Sequence, residues 1–194
     1  MCFDTLISIV TAACTLALAA VAIWQDQVLS FLNPARGEIA ESNFDGKEEG
    51  VPAQRLYTYH IKAVSRRRWR PLKGATIRFR QINRITDAGR EETSSYPVWR
   101  QLPWAPVERS EVNQTIITEQ ECDLGRYEQQ QDRFAIAYYA QGGEFNPYIS
   151  RGQVGRIFLH LCADNLRHDV VVEVTINMKG ANQTKPTISL TKLA

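Results

Sequence analysis

The chain has 194 residues, of which 23 are Lys or Arg and 21 are Asp or Glu, so its formal net charge is +2. Because the two signs nearly balance, a basic binding surface requires a local concentration of charge rather than a basic chain. Cys2 and Cys14 lie in or beside the first apolar segment, which leaves Cys122 and Cys162 for the rest of the chain. Two cysteines are too few for the disulfide framework of a secreted domain, and we expect both to be free thiols.

Residues 6–24 form an apolar segment without a charged side chain, followed at once by Gln25 and Asp26. A helix of this length rises about 28 Å, close to the thickness of a hydrocarbon core. We therefore predict an N-terminal transmembrane α-helix, an anchor within residues 1–32 that contacts the lipid bilayer through residues 6–24. A cleaved signal peptide is the alternative, although the N-terminus has no basic residue and the apolar run exceeds the roughly 7 to 15 residues of such a signal.

Two features of the anchor suggest how it is placed. Ala13, Ala17 and Ala20 are small side chains that would let a second helix approach closely, unless alanine serves here only as apolar filler. No basic residue precedes the span, whereas Arg36 follows it, and this bias favours a single-pass protein of the cell membrane with a cytoplasmic C-terminal domain.

Residues 33–54 are polar, contain several Gly and Pro residues and show no period. We predict a flexible linker here. After it, residues 55–194 alternate with a period of two, as half-buried strands do. Alternating or apolar segments indicate strands at 57–63, 75–79, 115–118, 134–140, 157–161, 170–176 and 188–190, and Asp87-Ala-Gly89 is a turn signal between two of them. We predict an all-β domain, an antiparallel sandwich of seven or eight strands.

Residues 60–80 contain a strand, a short basic turn ending in Trp69-Arg70-Pro71, and the alternating strand that begins at Gly74. This arrangement resembles the opening hairpin of bacterial immunoglobulin-like domains of the cell-adhesion-related type. The resemblance covers about twenty residues, and it implies an immunoglobulin-like sandwich without implying an activity.

The strongest local charge feature is the sequence Arg66-Arg67-Arg68-Trp69-Arg70. Several arginines beside an aromatic side chain suit phosphate groups, either of anionic lipid or of nucleic acid with Trp69 stacked on a base. Arg78 and Arg80, on the outer face of the next strand, would extend this surface. The alternative is that Trp69 packs over the edge of the sandwich while the arginines stay solvated or pair with Glu48 and Glu49.

Recognisable catalytic motifs are absent from the sequence: it has no G-x-S-x-G, P-loop, G-x-G-x-x-G or C-x-x-C pattern. His160 and His168, with Asp164 between them, could ligate a metal, but a strand-end histidine and an exposed loop carboxylate are the commoner explanation. We therefore expect a protein that is not an enzyme and needs no metal or cofactor.

Two functions fit these observations. The first is a membrane-anchored interaction module that presents a protein-binding surface. The second is a binder of membrane-surface or nucleic-acid phosphates that uses the basic turn. Binding that collapses with added salt would favour the second, whereas salt-tolerant binding of a protein would favour the first.

Overall fold

The computed structural model describes residues 3–49, 55–105, 114–138, 147–179 and 185–193, and within its helix it describes the side chains of residues 7–22 and 24. In this part of the chain, one helix, α1 (Phe3–Leu32), precedes eleven strands. The strands are β1 (Gly37–Glu49), β2 (Leu56–Ser65), β3 (Leu72–Ile85), β4 (Glu91–Gln101), β5 (Gln114–Ile116), β6 (Glu119–Glu128), β7 (Arg133–Ile136), β8 (Tyr148–Ser150), β9 (Val154–Cys162), β10 (Val170–Asn177) and β11 (Thr187–Lys192).

The apolar N-terminal segment is helical, and its helix ends at Leu32, which agrees with the predicted anchor within residues 1–32. Its large apolar side chains are exposed, among them Ile9, Leu16 and Leu18. No helix in the described part of the chain combines the length and the apolarity needed to cross a membrane. The helical structure of the segment is confirmed. Its passage through a bilayer is not supported by this finding and stays a prediction.

The strands form two antiparallel sheets. One has the order β1-β2-β6-β7-β8 and the other the order β11-β10-β9-β3-β4, with β5 paired to β3 beside it. The inward side chains of both sheets share one hydrophobic core, whose largest fully buried members include Trp104, Tyr59, Phe79 and Phe134. An all-β sandwich is thus confirmed, although the described residues contain eleven strands instead of seven or eight.

The prediction of a flexible linker at 33–54 is wrong for its larger part, because residues 37–49 form β1 and pair with β2. Register irregularities between Glu41 and Asn43, and between Asn43 and Lys47, interrupt the ladder. Irregularities of this kind remove the alternation that identifies a strand in a sequence. Residues 50–54 lie outside the described part of the chain.

Three more strands escaped the sequence pattern for related reasons. Strand β4 is a polar edge strand that contains Pro97. Edge strands tolerate proline and polar residues, because one side of the strand has no neighbouring strand in the sheet and needs no backbone N–H there. Strand β6 pairs with β2 across an irregularity between Tyr59 and His60 that breaks its alternation, and β8 is only three residues long. The turn signal at Asp87-Ala-Gly89 is confirmed: it joins β3 to β4, and Gly89 has a φ of 75°.

Strand β1 makes a testable contribution to stability. A fragment of residues 33–194 should fold cooperatively and show a β-type circular dichroism spectrum without a helical signature. A fragment of residues 51–194 lacks the fully buried Ile39. Its free energy of unfolding should be lower by about 2–5 kcal/mol or more, because truncating one such buried side chain to alanine already costs that much. Urea unfolding of both fragments measures the difference, and equal midpoints would show that β1 adds nothing.

Candidate functional site

The connection between α1 and β1 is docked on the sandwich. Ala35 is buried and its N–H donates to the carbonyl of Asn165 at 3.1 Å, while the N–H of Arg66 donates to the carbonyl of Arg36 at 2.8 Å. The chain therefore leaves α1 at the end of the sandwich where β1 begins, β2 ends and β3 begins. The basic turn lies at this same end.

The basic turn, residues 66–70, is held by its backbone. The hydroxyl of Ser65 lies 3.2 Å from the carbonyl oxygens of both Arg67 and Arg70, which share its single proton, and the N–H of Arg70 donates to the carbonyl of Arg67 at 2.9 Å. Trp69 is 74% exposed, and the guanidinium of Arg67 lies 6.0 Å from the centre of its ring. The alternative in which Trp69 packs over the sandwich edge is therefore wrong, and the turn presents an exposed aromatic ring among cations.

The ion pairs of the turn differ from those expected. Arg66 pairs with Glu38 on β1, and Lys192 at the end of β11 pairs with the same carboxylate. Glu48 instead pairs with Arg55 at 3.5 Å, at the other end of β1. The side chain of Glu49 is not among those that the structure describes. One carboxylate thus faces two cations beside the turn, so the pairing does not neutralise the positive charge.

A second loop brings further charge to the turn. Asn165 donates its side-chain amide to the carbonyl of Pro71 at 2.8 Å, and its side-chain oxygen accepts from the N–H of Lys73 at 3.1 Å. These bonds fasten the loop between β9 and β10, which carries the exposed Arg167, to the start of β3. We call the resulting surface the basic end; it consists of Arg36, Arg66, Arg67, Arg68, Arg70, Lys73, Arg167 and Lys192.

Sequence reasoning identified the turn but missed Arg167 and Lys192. Each is an isolated cation far along the chain from residue 66, with no local pattern around it. Antiparallel pairing places the end of β11 beside the start of β10, and the packing of the two sheets on each other brings both beside the start of β1. Residue spacing in the sequence reveals neither the order of the strands nor the packing of the sheets.

Arg78 and Arg80 lie on β3 but away from the basic end, and the Nε of Arg80 donates to the carbonyl of Tyr96 at 3.3 Å. The Nε of Arg78 donates to the sulfur of Cys162 at 3.2 Å, and its guanidinium lies 5.6 Å from the ring centre of Trp99. Trp99 and His160 meet at 4.7 Å between ring centres. Arg78 is about 20 Å along β3 from the start of that strand. We call this group of Arg78, Val98, Trp99 and His160 the Trp99 patch.

The cysteine beside this patch is a poor nucleophile. Cys162 donates to the carboxylate of Asp169 at 3.0 Å, and burial together with this hydrogen bond raises its pKa to about 11. Cys122 is fully buried against the carbonyl of Pro103, and burial raises the pKa of its thiol well above the usual value. Both cysteines are free thiols, as predicted.

The protonated thiol of Cys162 predicts slow alkylation. Iodoacetamide at about pH 8 should leave Cys162 largely unmodified in the folded protein, because the thiolate is the reacting form. Asp169→Asn should speed the modification, since it removes a carboxylate that raises the pKa while Arg78 stays in place. Mass spectrometry of the modified peptide measures the rate, with Glu173→Gln on the neighbouring strand as the control. A wild-type rate equal to that of unfolded protein would contradict this account.

The histidines suggested as metal ligands have other surroundings. His160 packs on Trp99, and burial is the main cause that lowers its pKa. His168 is exposed in the loop before β10. Within the described ranges, no three His, Cys, Asp or Glu side chains are grouped as a metal site would require.

Ala13, Ala17 and Ala20 are exposed on α1, so their side chains remain accessible to a second helix. Helix association stays a prediction.

No protein-family model, curated protein or solved structure matches this chain.

Proposed function

We propose that this chain is a single-pass membrane-anchored interaction module, in which α1 crosses the bilayer and the β-sandwich binds the phosphates of anionic lipids. The observation that carries the proposal is the position of the basic end, which lies where the chain leaves α1. A basic residue near an anionic surface contributes about 1 kcal/mol to binding, so several residues acting together give appreciable affinity.

The side chains of α1 support the anchor. The described part carries exposed apolar side chains from Ile7 to Trp24 without a charged residue among them. Both of its threonine hydroxyls in this part are bonded within the helix: Thr11 donates to the carbonyl of Ile7 at 2.9 Å, and Thr15 donates to the carbonyl of Thr11 at 2.8 Å. A lipid environment requires such internal bonding, because it offers polar groups no water.

The docked connection supports contact between the sandwich and the membrane surface. Only residues 33–36 separate the last residue of α1 from the first residue of β1, and Ala35 is bound to the sandwich. The sandwich therefore cannot move far from the end of α1, and Trp69 is exposed at that end, where an interfacial aromatic side chain would insert.

Arg36, close to the end of α1, favours a cytoplasmic sandwich, because Lys and Arg near the end of a span are retained on the cytoplasmic side of a membrane. The cytoplasmic leaflet also carries the anionic lipids that the basic end would bind. The free thiols of Cys122 and Cys162 agree with a reducing compartment. The immunoglobulin-like character of the sandwich is part of this proposal and rests on the resemblance of residues 60–80.

Extraction of native membranes tests the anchor. Carbonate washing should leave the full chain in the pellet, and protease added to intact spheroplasts should not cleave the basic turn. Recovery of a soluble product that begins near Ile23 would show a cleaved signal peptide instead. Cleavage of the turn from outside would reverse the orientation.

The Trp99 patch favours a second candidate function, binding of a protein partner. Val98 and Trp99 are exposed on the edge strand β4, and Arg78 stacks on Trp99. Exposed tryptophan together with arginine is the composition typical of energetic hot spots in protein interfaces. The patch lies apart from the basic end, so the two functions can be separated by mutation.

Co-purification from detergent-solubilised membranes tests this candidate. A partner bound at the Trp99 patch should remain bound at high salt and be lost in Trp99→Ala, while replacing Arg67 and Arg68 by Ser should leave it bound. Loss of the partner in the arginine variant alone would assign it to the basic end. A bound component that is removed both by nuclease and by salt would indicate nucleic acid.

A further inference from the structure

A groove of about 470 Å³ opens at the basic end, between the start of β1, the loop before β10 and the end of β11. Pro34, Ala35 and Arg36, the residues that follow α1, form part of its wall. Its volume falls within the range of about 300–1,000 Å³ that is usual for sites of small ligands. Nothing in the sequence pattern indicated it, because its walls come from distant segments.

Part of the groove is apolar. Leu166, Val170 and Leu193 line it, and Leu193 is 44% exposed. Apolar side chains brought together in a concave surface favour a ligand that has a hydrocarbon part, because burial of that part removes both surfaces from water. A free phosphate ion would leave this part of the groove unused.

Charge dominates the other part. Among the described residues that line the groove, Arg36, Arg66, Arg167 and Lys192 are cationic and Glu38 is the acidic residue. Glu38 is 14% exposed and already pairs with Arg66 and Lys192, so one carboxylate serves two cations. An anion at the rim would meet this excess of positive charge, and phosphate suits arginine because its oxygens accept two parallel N–H bonds.

We infer that the groove binds one anionic phospholipid, with the headgroup phosphate near Arg167 and Lys192 and the start of an acyl chain on Leu166, Val170 and Leu193. This inference rests on the proposed function, since a lipid reaches the groove from the bilayer that α1 enters. It goes beyond attraction to a charged surface, because it assigns one lipid molecule to a defined site. The basic turn then contacts the bilayer surface beside it.

Native mass spectrometry of the full chain in mild detergent tests the inference. The micelles contain equal amounts of dioleoylphosphatidylglycerol and dioleoylphosphatidylcholine, and the spectrum counts the lipids that stay bound. We expect one phosphatidylglycerol per chain, preferred over phosphatidylcholine. Replacing Arg167 and Lys192 by Gln should reduce this preference at least about tenfold. Each basic residue contributes about 1 kcal/mol near an anionic lipid, and about 1.4 kcal/mol corresponds to a factor of ten. Leu193→Glu should reduce retention of both lipids.

The matched control replaces Arg55 and Arg90 by Gln, which removes the same charge at the far end of the sandwich. Equal loss in the control, or no loss in either groove variant, would overturn the inference. Melting temperatures establish that each variant is folded, and Lys192→Gln alone gives a milder variant if the double replacement unfolds.

Two further arms identify the ligand and its site. Glycerol 3-phosphate should not displace the lipid at comparable concentration, and equal displacement would show that the acyl part is not bound in the groove. Replacing Arg67, Arg68 and Arg70 by Ser should leave the bound lipid in place. If this turn variant loses the bound lipid and the groove variants keep it, the lipid is not bound in the groove. That result would overturn the groove site and leave the proposed function intact. Retention in micelles does not require α1 to cross a bilayer, so failure of the anchor in carbonate washing is a separate result.

Discussion

Trp104→Ala should lower the free energy of unfolding by about 3–5 kcal/mol, because it empties a large fully buried site. Trp104 is 1% exposed and belongs to the core shared by the two sheets. Trp69→Ala should change the same quantity by less than about 0.5 kcal/mol, since its ring is exposed at the basic turn. Both variants replace a tryptophan by alanine, so the difference between their free energies of unfolding measures the effect of burying the indole ring.

Urea unfolding of the 33–194 fragment, followed by circular dichroism, gives both values. Vesicle binding should show the opposite order: Trp69→Ala should weaken it, and a folded Trp104 variant such as Trp104→Phe should not. A Trp69→Ala cost comparable to that of Trp104→Ala would show that Trp69 is a core residue and would remove the aromatic part of the proposed phosphate surface.

Replacement of Arg67, Arg68 and Arg70 by Ser should weaken binding of the same fragment to phosphatidylglycerol vesicles by about a hundredfold. The estimate takes about 1 kcal/mol for each basic residue near an anionic surface. Arg66 is retained because it pairs with Glu38, and its loss would disturb the contact between β1 and the turn. The salt dependence of binding should become less steep, since fewer charges are screened.

The control for this variant replaces Arg55, Arg90 and Arg151 by Ser. These residues lie near the start of β2, the β3–β4 hairpin and the segment after β8, all at the end of the sandwich away from α1. Net charge changes equally in the two variants, so a similar loss of binding in both would mean that total charge, and not the basic end, attracts the vesicle. Wild-type binding that is absent or insensitive to salt would refute the phosphate proposal outright.

Local pattern predicted much of the fold. The central strands β2, β3, β9 and β10 could be identified because their inward side chains belong to one core and so alternate regularly. Strand β1 could not, because bulges and an edge position allow polar residues and break the alternation.

The candidate site was predictable only where its residues are neighbours in the chain. The arginines at 66–70 are consecutive, so their concentration is visible directly. Whether Trp69 is buried or exposed was not visible, because a tryptophan beside a strand suits either environment.

The sequence by itself determined the apolar helix, the all-β character of the rest and the position of the basic turn, since each depends on residues close together in the chain. Only the tertiary structure decided that Arg36, Arg167 and Lys192 join that turn, that Glu38 is shared between two cations, and that a partly apolar groove opens beside them. The physical reason is that antiparallel pairing aligns the ends of distant strands and sheet packing brings strands of the two sheets together, and no local period records which strands become neighbours.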